Sequence, residues 1–300
     1  MTLFGMVNVA SSVEYTLAAI DSFYQHTPLE NTDQLVLIDN DNSFPTDKNW
    51  PAFMRMNNAT PLSFASNVNQ LLRMAAQNEA DVVFLNNDMI FTPNWLKPLC
   101  QRDDAILIPR CNQHIQYNSA TFNLKPFMDW SEYAGHEQDL IAISQHHAQA
   151  HAPEQITEAL HLSFYCFRLP YAIYGTVGLF DEGFGPGGGE DVDYRMRVNQ
   201  AGFKVAYADH SYVLHFMGKS TWRGGEDAAA TQQRDLQYKT AFEKKWGAEL
   251  HQLFLLGQAD QAIVEKHQLH TALAEHDYAK MITSCQPKTN RFRNNRQRRH

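Results

Sequence analysis

Two short apolar runs, Leu35-Val36-Leu37-Ile38 and Val82-Val83-Phe84-Leu85, do most to limit what this chain can become. Neither run alternates with polar residues, so each reads as a strand covered on both faces. A helical pattern precedes each. Val13, Leu17, Ile20 and Tyr24 recur at helical spacing before the first, and Val68, Leu71, Leu72 and Ala75 share one face before the second. Leu3 to Val9 supplies an earlier strand and Ala105 to Pro109 a later one. Ser11 and Glu14 stand at capping-box spacing ahead of the first helix. Thr92-Pro93 has the form of an N-cap with proline at the first helical position, which predicts a short helix there. Alternating strands and helices predict an α/β fold, a mixed and mostly parallel central sheet flanked by helices. In such sheets ligands collect at the carboxyl ends of the strands. Asp39 falls directly after one apolar run and Asp88 shortly after the other.

The second half is organised differently. Residues 112–160 are rich in His, Gln, Asn and Ala with weak periodicity, and read as an insertion or a region of variable loops and helices. Leu162 to Phe167 predicts a strand and Tyr171 to Val177 a short helix. A glycine-rich loop, Gly183 to Gly189, leads into a helix from about Asp191 to Ala201, closed by Gly202. Lys204 to Ala208 and Tyr212 to Phe216 read as two strands, and residues 228–283 as mostly helical. His147 and His151 would share a helical face beside His146, but no carboxylate is in register with them, which argues against a metal site there. The four cysteines are scattered with no CxxC pair, which argues against a disulfide framework and a zinc knuckle and fits a reducing compartment. No apolar run is long enough to span a membrane. The first Lys or Arg is Lys48, so an early secretory signal is not expected, and a cytoplasmic protein, peripheral at a membrane at most, is.

Charge sharpens the picture. Residues 288–300 carry Lys288, Arg291, Arg293, Arg296, Arg298 and Arg299 and no acid. Removing those six from the 25 bases leaves 19 against 33 acids over residues 1–287, a net charge of −14. The body is a poor general binder of phosphate backbones, whereas the tail suits an anionic surface, whether a membrane or a nucleic acid. The simplest expectation for the tail is a solvated, disordered end.

The chemistry concentrates between Val177 and Thr221. Five glycines lie between positions 183 and 189, followed by Glu190, Asp191 and Asp193 at a helix start. Acids suit a first helical turn through the helix dipole, and Asp191 could simply pair with Arg195 one turn on. The alternative is that one carboxylate accepts a proton beside a mobile loop.

Taken with what precedes it, this stretch resembles glycosyltransferase family 2, the inverting GT-A enzymes that use nucleotide sugars. Leu35 to Ser43 (LVLIDNDNS) resembles the family's first strand-end motif, an apolar run ending in an acid. Ser63-Phe64-Ala65, followed by Asn69, is similar to its Gly-Phe-Ala segment. Phe84 to Leu96 (FLNNDMIFTPNWL) resembles a variant DXD segment, with Asn86 in place of the first acid. Val177 to Arg197 resembles the acceptor-side Glu-Asp motif. His215 with Thr221 resembles the late metal-binding histidine segment, and Phe242 to Gly247 (FEKKWG) a common C-terminal helix ending. Any one match is weak, but six in order make a specific signal.

The resemblance implies a GT-A catalytic domain over residues 1–225, with a nucleotide-sugar-binding half (1–110) and an acceptor-side half (111–225). A helical extension (226–286) and the basic tail (287–300) would follow. It implies donor contacts from Asn8, Asp39, Asn40, Asp41, Phe64, Asn69, Asn86, Asn87 and Asp88, with Asp39 reading the base. Asp191 would be the catalytic base, with Glu190 beside it shaping the acceptor pocket. Gly187, Gly188, Gly189 and Trp222 would lie on the acceptor side. A divalent metal, Mn2+ or Mg2+, would be held by Asp88 and His215, the imidazole nitrogen suiting Mn2+ better. The donor implied is a nucleotide-diphosphate sugar, UDP- or dTDP-linked first, and the acceptor a hydroxyl on a glycan, a lipid-linked saccharide or another polymer. Two other functions stay open at this point: transfer to modified nucleic-acid bases, favoured only by the tail, and a non-catalytic sugar-nucleotide or glycan-binding protein, made thinkable by the substituted DXD. Oligomeric state is open.

Overall fold

The computed structural model describes residues 1–45, 50–115, 117–119, 121–219 and 227–286. Trp222, Thr221 and the basic tail lie outside the described residues. Eleven strands occur among the described residues: β1 (Thr2–Asn8), β2 (Gln34–Asp39), β3 (Phe53–Asn57), β4 (Asp81–Leu85), β5 (Met89–Phe91), β6 (Ala105–Cys111), β7 (Tyr117–Asn118), β8 (Asn123–Leu124), β9 (Ile156–Thr157), β10 (Cys166–Leu169) and β11 (Lys204–His215). Nine of them form one sheet, in the order β3-β2-β1-β4-β10-β6-β11-β5 with β9 added on β11, while β7 and β8 pair as a separate hairpin. β3, β2, β1 and β4 run parallel, and so do β6 and β11, whereas β10, β5 and β9 run against their neighbours. The expected mixed, mostly parallel sheet is what forms.

Helices α1 (Val13–His26) and α2 (Phe64–Ala76) follow β1 and β3. The short α3 (Trp130–Tyr133) and α4 (Glu137–Gln149) occupy the His- and Gln-rich stretch, and α5 (Tyr171–Val177) and α6 (Glu190–Gln200) follow β10. The apolar runs in β2 and β4 are buried on both faces, as their composition requires. On α2 the expected face, Val68, Leu71, Leu72 and Ala75, is buried throughout. On α1 the buried stripe is Thr16, Ala19, Ile20 and Phe23, rotated from the expected one because Thr16 joins a polar cluster under the sheet edge. β1 passes α2 closely at Gly5, where a Cβ would stand 2.1 Å from Leu71 Cδ2. Leu71 is wholly buried and has nowhere to retreat. Gly5→Ala is therefore expected to cost ~1–3 kcal/mol, read as a lower urea midpoint; an unchanged midpoint would refute this packing.

Several local expectations are corrected. Ser11 and Glu14 form no capping box, because a 3-10 turn, Ala10–Ser12, enters α1 and Ser12 occupies the N-cap position without capping. Thr92 caps no helix: its hydroxyl donates to the Tyr212 carbonyl at 2.6 Å, and Asn94 is left-handed at φ 62°. Only a 3-10 turn, Lys97–Cys100, follows. β10 begins at Cys166 rather than Leu162. The two expected strands after Gly202 are one, β11, with an irregularity in register between Ala208 and Tyr212.

The C-terminal part comprises α7 (Ala228–Trp246), α8 (Ala248–Leu250), α9 (Gln261–Lys266), α10 (His270–Ala274) and α11 (Tyr278–Cys285). It shares a core with α6. Val192 and Met196 of α6 pack with Phe242, Trp246, Met281 and Ile282, while Tyr194 and Val198 of the same helix enter the core under the sheet. Thus α6 is clamped between two apolar clusters, which fixes whatever its first turn presents. No helix among the described residues is long and apolar enough to cross a membrane.

Candidate active site

Parallel strands end on one edge of the sheet, and there a cavity of about 830 Å3 opens. That is within the ~300–1,000 Å3 range of small-molecule sites. Asn40 and Asp41 after β2, Asn86 and Asn87 after β4, and Phe64 opening α2 form one side. Glu190, Asp191 and Gly188 form another, and His215 at the end of β11 a third. Residues far apart in sequence meet because β10, running against β4, brings β6 and β11 alongside.

Asp88 stands just behind this wall, fully buried. Its Oδ1 lies 3.2 Å from His215 Nε2 and has no aligned hydrogen bond, while Oδ2 accepts the Lys219 N–H at 3.1 Å. Burial pushes the Asp88 carboxyl up, but His215 and the Lys219 N–H outweigh it and hold it below the usual range. Burial likewise pushes the His215 imidazole down, and Asp88 and Cys111 outweigh that, raising it to about 9. Tyr165 stacks on the ring, centroids 4.9 Å apart. A cation bound about 2 Å from a carboxylate oxygen and an imidazole nitrogen places those atoms about 3 Å apart. The orphaned oxygen and its spacing from Nε2 therefore fit a divalent metal held by Asp88 and His215, with the metal in place of the imidazole proton. Asn86 Nδ2 lies 3.5 Å from the same nitrogen.

Across the cavity, the first turn of α6 holds Glu190 and Asp191. Gly188 and Gly189 are left-handed, at φ 118° and 80°. A Cβ on Gly188 would come within 2.5 Å of the Tyr238 ring, so here the glycines admit α7 rather than only a ligand. The Gly188 N–H donates to Glu190 Oε2 at 2.6 Å, and the Pro186 carbonyl accepts the Phe64 N–H at 3.2 Å, which docks the loop on α2. Burial first, then the neighbouring Asp191, pushes the Glu190 carboxyl up to about 8. Burial also raises Asp191, against the Val192 N–H, which donates to its Oδ1 at 2.8 Å, and against the charge of His161. Burial thus raises both adjacent carboxyls, Glu190 the further by its neighbour's charge, and a carboxylate with a raised pKa is a stronger base when it ionises. Asp191 does not pair with Arg195. That guanidinium is buried, donates to the Leu160 and Ala159 carbonyls and lies over Tyr278. Asp193 faces the other way, bound by Arg197, Lys245 and the Trp246 indole.

The remaining predicted residues stand behind the walls. Asp39 is fully buried; it accepts from Asn8 Nδ2 at 3.0 Å, from the Ser43 and Phe44 N–H groups at 3.2 Å each, and from Arg55 at 2.5 Å. It holds the loop that presents Asn40 and Asp41. Asn8 also accepts from Thr16, which with Ser12 in turn accepts from Asn87 of the wall itself. Asn69 points away from the cavity and staples α2 to Phe180 and Glu182. Gly187 is buried beside Arg234. His147 lies in the last turn of α4 and His151 just beyond its end, with ring centroids 4.4 Å apart, but each imidazole meets a backbone carbonyl, His147 that of Asp209 and His151 that of His147. Tyr165 and Cys111, both beside His215, and Tyr238 were not predicted; only the pairing of β10 with β4 and the packing of α7 bring them in.

No family model matches the sequence, and no curated protein does. Solved structures match its fold. GalNAc-T7 with UDP, GalNAc and Mn2+ superposes at a TM-score of 0.55 with 13% identity, over 97% of this chain and 56% of that one. S. aureus TarS in complex with UDP-GlcNAc aligns at a TM-score of 0.48 with 11% identity, over 95% and 89%. The mannosyltransferase PcManGT from Pyrobaculum calidifontis, with GDP-Man and Mn2+, aligns at 0.45 with 10% identity, over 94% and 85%. The chain has the GT-A glycosyltransferase fold, and it spans about half the length of the GalNAc-T7 structure.

Proposed function

We propose that this chain is a metal-dependent inverting glycosyltransferase that moves a sugar from a nucleotide-diphosphate donor to a hydroxyl acceptor. The observation that carries the reading is that one cavity at the strand ends has the Glu190–Asp191 pair on one wall and His215, backed by Asp88, on another. The GT-A fold, shared with a structure that holds UDP, GalNAc and Mn2+, supports the same class of donor.

A divalent cation at Asp88 and His215, Mn2+ or Mg2+, would supply positive charge to the departing diphosphate. Asn40 and Asp41 lie where they can meet the nucleoside. Asp191 takes the proton of the acceptor hydroxyl as its oxygen attacks the anomeric carbon, and the bond to the diphosphate breaks on the opposite face, inverting the centre. Glu190, raised to about 8, favours its neutral form at neutral pH and so adds little repulsion to a charge on Asp191. A thermal-shift screen of UDP-, dTDP-, GDP- and CDP-sugars with and without Mn2+ tests the reading, because a ligand that binds the folded state raises Tm. Stabilisation by one nucleotide class, dependent on Mn2+, is expected. No stabilisation by any of them would refute it.

The pH dependence of stability follows from the same pair. A carboxyl raised in the folded state stabilises it fully below the ordinary carboxyl value and loses that contribution as pH rises through the raised one. For Glu190 the loss runs from below pH 5 to about 8. Glu190→Gln keeps the neutral shape and cannot ionise. At about 1.4 kcal/mol per unit of displacement, the variant should lose several degrees less Tm than the parent between pH 5 and 9. Parallel Tm profiles would contradict the assignment.

A further inference from the structure

Away from the cavity, the C-terminal helices bring three different donor types to one point. Glu249 comes from α8, His267 from the residue that ends α9, and Cys285 from the last turn of α11. A carboxylate oxygen, an imidazole nitrogen and the thiol sulfur lie within 4.8 Å of one another. We propose that Glu249, His267 and Cys285 form a second metal site, specific for a zinc-like divalent cation, that ties α8, α9 and α11 together.

Thiolate, imidazole and carboxylate together are a ligand set for Zn2+ rather than for the hard cations Mg2+ or Ca2+. In a tetrahedral zinc site bonds of about 2.0–2.3 Å hold donor atoms about 3.3–3.8 Å apart, so the three side chains need move only slightly to close on an ion. His267 Nε2 lies 2.7 Å from Glu249 Oε2, and Lys266 Nζ lies 2.6 Å from the other oxygen. Lys266 thereby orients the carboxylate and would remain on its second oxygen, a buttress of the kind that surrounds metal ligands. Cys285 is buried against Met281 and Ile282, whereas Glu249 and His267 are only half-buried, so an ion can enter from solvent with a water as its fourth ligand. On binding, the Cys285 thiol releases its proton to solvent and the thiolate bonds the metal; no electron is transferred. The charges of thiolate and carboxylate balance the dication. The site is distinct from Asp88 and His215, and the C-terminal cluster also packs on Val192 and Met196 of α6, so an ion here would stiffen the helix that carries Asp191.

The test uses the full chain, stripped of metal under reducing conditions and titrated with Co2+, which reports thiolate ligation by a charge-transfer band. One equivalent should produce that band, and Zn2+ should bleach it and raise Tm. Cys285→Ser and His267→Gln, checked for folding by near-UV circular dichroism, should each abolish the band, while Asp88→Asn keeps it. His267 is not in the core, so its variant tests the site even where Cys285→Ser folds poorly. Absence of a band in the parent protein, or a band that persists in either variant, overturns the proposal. Loss of transferase function in Asp88→Asn with the band intact separates this site from the catalytic reading.

Discussion

Asp191→Asn is expected to lower kcat ~10³-fold, in the middle of the 10²–10⁴ range for a general base, and to leave the dissociation constant of the nucleotide sugar unchanged. The asparagine keeps the size of the side chain and can still accept the Val192 N–H now bound at 2.8 Å. It cannot take a proton. In the proposed arrangement the donor is held elsewhere, by the loops after β2 and β4 and by the metal pair, so its affinity should not move. Isothermal calorimetry with the nucleotide sugar in the absence of acceptor and a transfer assay measure the two quantities separately. The same pair of measurements discriminates the non-catalytic alternative, in which the parent protein binds the nucleotide sugar and transfers nothing to any hydroxyl acceptor. A variant that transfers at the parent rate would remove Asp191 from the mechanism and return the acid cluster to its structural reading.

Asp88→Asn is the second large effect. It removes the one carboxylate in the Asn86-Asn87-Asp88 segment and with it the charge that makes the His215 corner attractive to a cation. Metal neutralisation of a departing diphosphate is worth several kcal/mol, so transfer should fall ~10³-fold at a fixed Mn2+ concentration and lose its stimulation by added metal. Electron paramagnetic resonance of free Mn2+ reads the affinity directly. Because Asp88 is fully buried beside an imidazole it holds charged, the variant also leaves His215 without its partner. His215→Gln, which removes both the imidazole and its charge, therefore serves as the companion variant. Retention of Mn2+ stimulation in both would place the metal elsewhere.

The sequence made the framework legible where one physical rule dominates. β2 and β4 are covered on both faces, so their runs are uninterrupted by polar residues. α5 and the glycine-closed end of α6 fall where expected because a proline precedes the one and Gly202, at φ 88°, ends the other. Legibility failed where a side chain answers to a distant partner. Thr92 looks like a cap but spends its hydroxyl on Tyr212, 120 residues away. Asn69 matches the motif in which it sits yet faces Phe180 and Glu182. Asp39 ends its strand at the right edge, but Arg55 and two backbone N–H groups draw its carboxylate inward. The motif positions carried their residues to the sheet edge; which of them face the cavity was settled by hydrogen bonds that no local pattern encodes.

The proposed mechanism requires one cavity to hold both the metal, at Asp88 and His215, and the base, Asp191. Anomalous diffraction from crystals grown with Mn2+ and a nucleoside diphosphate tests it most directly. A manganese peak is expected between Asp88 Oδ1 and His215 Nε2, touching the diphosphate, with Asp191 facing it across space large enough for a hexose. A manganese peak and nucleotide bound together at another place in the fold would contradict it.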